Sequence, residues 1–128
     1  MMSLNKKNSE NKTFKKIHSF EKRKEEAEYI ISKYPDKIPI IIERANIKNS
    51  ENIPNIKKKK FLVPNDLHLS QLIYIVRRRI NIEPNIGIYF FIDNELHPTG
   101  KLIKEIYDDK KDEDGFLYMT YSGESTFG

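Results

Sequence analysis

The sequence contains no cysteine, which excludes disulfides, thiolate metal sites and cysteine nucleophiles together. It also lacks any apolar run approaching the ~20 residues that cross a bilayer, and its start, Met1-Met2-Ser3-Leu4-Asn5-Lys6-Lys7, has no apolar block of the secretory kind. Membrane attachment is therefore expected to be covalent or peripheral, and a reducing cytosol is compatible with the composition. There is no GxGxxG or phosphate loop and no internal repeat. His18, His68 and His97 stand far apart with no regularly spaced acid to join them, so neither a metal site nor a cofactor is expected. Asp112-Glu113-Asp114 lacks the spacing of a calcium loop and precedes a strand, which favours surface charge over acid and base chemistry. Ser122 and Ser125 have no nearby base. On these grounds the chain is expected to be no enzyme.

What is present fits one domain of 128 residues with a tail at each end. Charged residues make up 33% and apolar residues 38%, which allows a core of modest size. The formal charge is only +4, but the cations are grouped, at Lys57 to Lys60, at Arg77 to Arg79 and through the start to Lys24. Such grouping favours acidic partners. Nothing aromatic is interleaved with Lys57 to Lys60 before Phe61, so nucleic acid is not the expected partner.

Residues 1–12 offer almost nothing to bury and are expected to be disordered. Phe14, Ile17, Phe20, Ala27, Ile30 and Ile31 then recur at helical spacing up to Tyr34-Pro35-Asp36, which predicts one or two amphipathic helices over roughly 13–33. Ile38-Pro39-Ile40-Ile41-Ile42 is apolar on both alternating faces, as in a strand covered on each side. Residues 45–58 read as a loop, and Phe61-Leu62-Val63-Pro64 as a second strand. Asn65 or Asp66 is expected to cap a helix whose stripe Leu69, Ile73, Val76 and Ile80 faces the sheet. A third strand is predicted at Ile88 to Ile92, closed by Asp93-Asn94, and a short helix near Lys101 to Lys110. The last strand is predicted at Phe116 to Tyr121, with 122–128 as a mobile tail. This order makes an α+β domain over 13–121, with the element sequence of a ubiquitin-like β-grasp preceded by two additional N-terminal helices.

Five segments carry a closer resemblance: Phe20-Glu21-Lys22-Arg23, Tyr34-Pro35-Asp36-Lys37-Ile38-Pro39, Lys60-Phe61-Leu62-Val63-Pro64, Asp112-Glu113-Asp114-Gly115-Phe116-Leu117-Tyr118 and Tyr121-Ser122-Gly123-Glu124-Ser125-Thr126-Phe127-Gly128. Their words and separations resemble the autophagy ubiquitin-like modifiers, the family of microtubule-associated protein light chain 3 and the GABA type A receptor-associated protein. The resemblance runs from about Phe14 to the end, while the loop from Asn46 to Asn55 looks a few residues longer than in that family.

The resemblance implies conjugation. In such proteins the terminal glycine is activated, passed between cysteines of an activating and a conjugating enzyme, and joined to phosphatidylethanolamine on autophagosomal or other cytoplasmic vesicle membranes. Gly128 would be that residue, and a glycine carboxylate has no side chain to obstruct attack. Many relatives carry further residues that a deconjugating cysteine protease removes, whereas this sequence stops at Gly128. An unconjugated adaptor or cytoskeleton-binding protein, or the same chemistry at a plastid membrane, are the alternatives.

The resemblance also implies binding of receptor and adaptor peptides with aromatic-x-x-aliphatic motifs, added as a strand to the sheet edge. Carried over by position, the aromatic pocket comprises Glu26, Ile30, Pro39, Ile41, Lys60, Leu62 and Phe116. The aliphatic pocket comprises Phe61, Val63, Pro64, Leu67, Leu72 and Ile75, while Lys37, Lys58, Lys60 and Arg79 would meet acidic residues before the motif. Alternation agrees in part, because Pro39 and Ile41 point away from the core side of their strand. Leu72 and Ile75 lie beside the expected core stripe, as a partly exposed flank does.

Overall fold

The computed structural model describes residues 12–45 and 53–123. Two short helices, α1 (Phe14–Ile17) and α2 (Phe20–Lys33), precede β1 (Lys37–Arg44) and β2 (Lys60–Pro64). Then follow α3 (Leu69–Ile80), β3 (Tyr89–Phe91), α4 (Ile103–Lys110) and β4 (Leu117–Ser122). The four strands form one sheet in the order β2-β1-β4-β3. β1 and β4 run parallel at its centre, and β2 and β3 are antiparallel edges. This is the expected β-grasp with two N-terminal helices.

Local chemistry sets the breaks between elements. The hydroxyls of Thr13 and Ser19 accept from the amides of Lys16 and Lys22, so each opens a helix and the pair splits the 13–33 segment in two. Asn81 ends α3 in the left-handed conformation, φ 54°. Asp93 and Asn94 have φ 53° and 61°, the two-residue turn that closes a hairpin between Ile92 and Glu95.

Several boundaries differ from the sequence expectation, each because a particular hydrogen bond, local or tertiary, decides it. α3 is capped by His68, whose amide donates to the Gln71 side chain at 2.8 Å, and not by Asn65 or Asp66. The amides of Leu69 and Ser70 are taken by the carbonyls of Lys101 and Thr99, which fixes the start of the helix. Those same bonds hold 99–101 in a turn, which the Lys101 amide closes on the Pro98 carbonyl at 3.2 Å, so α4 begins at Ile103 rather than Lys101. β3 is shorter than Ile88 to Ile92, since Ile92 already belongs to the turn bridge. β4 begins one residue late, the amide of Phe116 being held by the Asp114 carboxylate, and it includes Ser122 from the expected tail. The expected disorder of residues 1–11, most of the long loop (46–52) and tail residues 124–128, Gly128 among them, lie outside the described residues.

β1 separates two cores. Ile38, Ile40 and Ile42 face the larger one, with Val63 of β2, Leu72 and Val76 of α3, Ile103 and Ile106 of α4, and Leu117 and Met119 of β4. Ile41 faces a smaller one with Phe14, Ala27, Ile30 and Phe116, beneath α1 and α2.

Candidate functional site

The sheet edge at β2 carries no partner strand among the described residues. The Ile42 amide donates to the Lys59 carbonyl at 2.8 Å and the Asn65 amide to the Asp36 carbonyl at 3.0 Å. The odd-numbered residues of β2 thus turn their backbone groups towards β1, and by alternation those of Lys60 and Leu62 face outwards. An open groove of about 570 Å³ runs along this edge, lined by Phe14, Lys57 to Lys60, Phe61, Leu62 and Arg79. Its walls are thus apolar and cationic, with Leu62 40% exposed and the Arg79 guanidinium 5.5 Å from the Phe61 ring centre.

On the outer face of the sheet, Glu26 of α2 and Lys60 of β2 form an ion pair that bridges helix and strand. Behind this pair Ile30, Ile41 and Phe116 are buried in the smaller core, with Pro39 buried beside them. Of the residues carried over for the aromatic pocket, Lys60 and Leu62 therefore line open space and Glu26 stands at its rim. Ile30, Pro39, Ile41 and Phe116 form a closed floor. On the other face, Phe61 and Val63 are buried towards α3, Leu67 and Ile75 pack half-buried against the large core, and Pro64 is exposed.

Leu72 corrects the expected facing. It is fully buried, not a partly exposed flank, and the buried stripe of α3 is Leu69, Leu72, Val76 and Ile80, with Ile73 only half-buried. Leu72 and Ile73 flank the line through Leu69, Val76 and Ile80 on opposite sides, and the packing of α3 buries the Leu72 side. Of the four cations expected to meet acidic residues, Lys58, Lys60 and Arg79 line the groove. Lys37 does not; it pairs in register with Pro64 at the far end of β2.

A polar network holds the N-terminal helices over this site. Arg23 of α2 donates to the buried Asp114 carboxylate at 2.7 Å, and the Tyr118 hydroxyl donates to the same oxygen at 2.5 Å. Burial, reinforced by the bond to Asp114, raises the Tyr118 pKa far above the ordinary phenol range, so that the hydroxyl stays a donor. Lys15 of α1 donates to Asp112 at 2.6 Å. Burial opposes the charge on Asp112, but the hydrogen bonds from Lys15 and the Asp114 amide, with the charges of Lys15 and Arg23, outweigh it and hold this carboxyl below its usual value. Gly115 completes the loop at φ +96°, where a Cβ would stand 2.9 Å from that of Ala27. Only glycine lets α2 approach this closely.

The family model for the autophagy protein Atg8, described as ubiquitin-like, matches residues 22–128. Autophagy-related protein 8e of Arabidopsis thaliana is 55% identical over 115 residues, covering 90% of this chain and 92% of that protein. Autophagy-related protein 8 of Mycosarcoma maydis is 54% identical over 115 residues, covering 90% and 95%. This chain belongs to the Atg8 family.

Solved Atg8 structures agree in fold. Plasmodium falciparum Atg8, in complex with a peptide of Plasmodium falciparum Atg3, superposes with a TM-score of 0.81 at 42% identity, covering 91% of this chain and 99% of that one. Trypanosoma brucei ATG8 gives 0.81 at 38% identity, covering 92% and 99%. The chain is thus a ubiquitin-like modifier of autophagy. Within its Atg8 fold the sequence reading missed Phe14 as a site residue. Phe14 lines the groove, with its ring 5.5 Å from that of Phe116 and its amide donating to Glu43 at 2.8 Å. Its position as the first apolar residue after a polar start was the available signal.

Proposed function

We propose that this Atg8 protein is joined through Gly128 to phosphatidylethanolamine on autophagosomal membranes and there recruits receptors and adaptors with aromatic-x-x-aliphatic motifs. The open β2 edge, flanked by Leu62 and Phe61 and ringed by Lys57 to Lys60 and Arg79, is the observation that carries the binding half. Peptide binding by the Plasmodium relative supports it, and points to the conjugating enzyme as one partner. The conjugation half rests on family membership, with a match that runs to residue 128. An activating enzyme and a deconjugating cysteine protease complete the cycle.

In this reading an incoming peptide strand bonds to the outward backbone groups of Lys60 and Leu62. The aromatic side chain parts Glu26 from Lys60 and settles on Ile30, Pro39, Ile41 and Phe116. Glu26 and Lys60 are each about one third exposed, and such a pair contributes only ~0–1 kcal/mol. Burying a large apolar side chain contributes roughly 1.5–3 kcal/mol, so entry of the aromatic outweighs loss of the pair. The aliphatic residue takes the other pocket, resting on Pro64, Leu67 and Ile75 above a floor of the buried Phe61, Val63 and Leu72. Lys58 and Arg79 steer the acidic residues; Lys37 would act only on a peptide reaching the far end of the strand.

The test is intact-mass spectrometry after incubation with ATP, activating and conjugating enzymes and liposomes containing phosphatidylethanolamine, with Gly128→Ala in parallel. A lipid adduct on the wild type alone is expected. No adduct from enzymes active on a control modifier would overturn the conjugation and leave a soluble adaptor. An N-terminal tag then tells an autophagosomal from a plastid destination, since a C-terminal one would block Gly128.

A further inference from the structure

A second groove, of about 370 Å³, lies at the end of the sheet where β4 finishes. Its walls include Pro54, Ile56, Lys57, Lys58, Arg79 and Ile80. The Tyr121 hydroxyl donates to the Pro54 carbonyl at 2.8 Å, so the end of β4 lies against this segment, and the Tyr121 carbonyl accepts from the Ala45 amide just past β1 at 2.7 Å. Burial pushes the Tyr121 pKa up to about 12, and the hydroxyl stays protonated as the donor. The lining contains no carboxylate. Among the described residues no ion pair engages Lys57, Lys58 or Arg79. Cations in the last turn of α3 have a structural reason, since they complement the helix dipole. Lys57 and Lys58 come from another segment and complement no described charge.

We infer that this groove docks the domain on an anionic lipid surface, with headgroup phosphates taken between Lys57, Lys58 and Arg79. The inference rests on attachment through Gly128. From Gly123 to Gly128 the chain advances five residues, a reach of at most about 18 Å when fully extended. A tether so short keeps the domain beside the bilayer, so the groove can come within one Debye length of it, about 8 Å at physiological ionic strength, where grouped cations are attracted to negative headgroups. Lys57, Lys58 and Arg79 line the peptide groove as well. Lipid and acidic peptide therefore draw on the same three charges, and the charge of the membrane tunes how well the modifier recruits acidic motifs.

Because the chain has no cysteine, Gly128→Cys gives a single thiol that couples to maleimide-bearing lipid without any enzyme. The tethered protein is placed on vesicles of phosphatidylcholine alone, or of phosphatidylcholine and phosphatidylserine in equal parts. Acylation of Lys57 and Lys58 is followed by mass spectrometry against Lys104 of α4. The ratio is expected to fall about fivefold on the phosphatidylserine vesicles and to recover in high salt. An unchanged ratio, or equal slowing of Lys104, overturns the docking face. Since the chemical tether bypasses the enzymes, that result is distinct from failure of the conjugation itself.

Discussion

On one face of β1, Ile38, Ile40 and Ile42 join a broad apolar core beneath α3 and α4, while on the other Ile41 meets only Phe14, Ala27, Ile30 and Phe116 beneath α1 and α2. The smaller side makes up for its size with directed polar bonds: Arg23 and Tyr118 to Asp114, Lys15 to Asp112, the Phe14 amide to Glu43, and Lys60 to Glu26. Apolar burial is non-directional and holds a fold as one unit, whereas a few charged bonds can be exchanged singly. The part of this Atg8 protein that must admit a peptide in our reading is the part held by exchangeable bonds. The ubiquitin-like core behind it has no need to move.

The comparison breaks if both faces respond alike. Leu72→Ala, at a fully buried position of the large core, is expected to cost about 2–5 kcal/mol through lost burial and the cavity left behind. Denaturant unfolding should show a lower midpoint with an unchanged slope, and amide exchange should quicken in β1, β4 and α3 together. Acceleration confined to α3 would mean that the large core is not one unit.

Asp114→Asn probes the other face and should cost less, about 2 kcal/mol. Stranding one partner of an enclosed ion pair costs roughly 3–5 kcal/mol, but here the chain can lift α1 and α2 and return Arg23 to water, which caps the loss. Faster amide exchange over Phe20 to Lys33, with β4 and α3 unchanged, is the expected signature. Global unfolding in step with α2 would show that the two faces are not separable.

The strength of this contrast was only half legible in the sequence. The alternation of Ile38, Ile40 and Ile42 against Pro39 and Ile41 shows two buried faces directly, because side chains alternate along a strand. The cations of the β2 edge are likewise visible as a run. The network on the smaller face was not, because it joins residues 91 and 97 positions apart, Arg23 to Asp114 and Lys15 to Asp112. Asp112-Glu113-Asp114 read as plain surface charge for that reason, yet Asp114 is buried. Leu72 was misplaced for a related cause: Leu72 and Ile73 flank the stripe through Leu69, Val76 and Ile80 on opposite sides, and period alone does not say which flank packs against the rest of the core. Closure of the aromatic pocket was also beyond the sequence, since residue types define a pocket floor but not whether a helix covers it.

The smallest expected effect is at Lys15 and Asp112, and pH isolates it. The Asp112 carboxyl is held below the usual carboxylate range in the folded chain, because the bonds from Lys15 and the Asp114 amide outweigh its partial burial. A lowered folded-state pKa means that the charged form is the one the fold favours, so its contribution is present above the unfolded value and is lost as pH falls through the folded one. Lys15 is nearly half exposed and Asp112 about one quarter, so the pair should contribute no more than ~1 kcal/mol, screened further by salt. Amides of α1 are therefore expected to exchange faster, after correction for intrinsic rates, as pH drops below about 4, ahead of those in β1 and β4. Asp112→Asn should show the faster α1 exchange already at neutral pH and remove this acid step while leaving other acid effects in place. If the step survives in Asp112→Asn, another carboxylate governs the release of α1, and Glu43, which accepts from the Phe14 amide and pairs with Lys59 at 3.0 Å, is the next to replace.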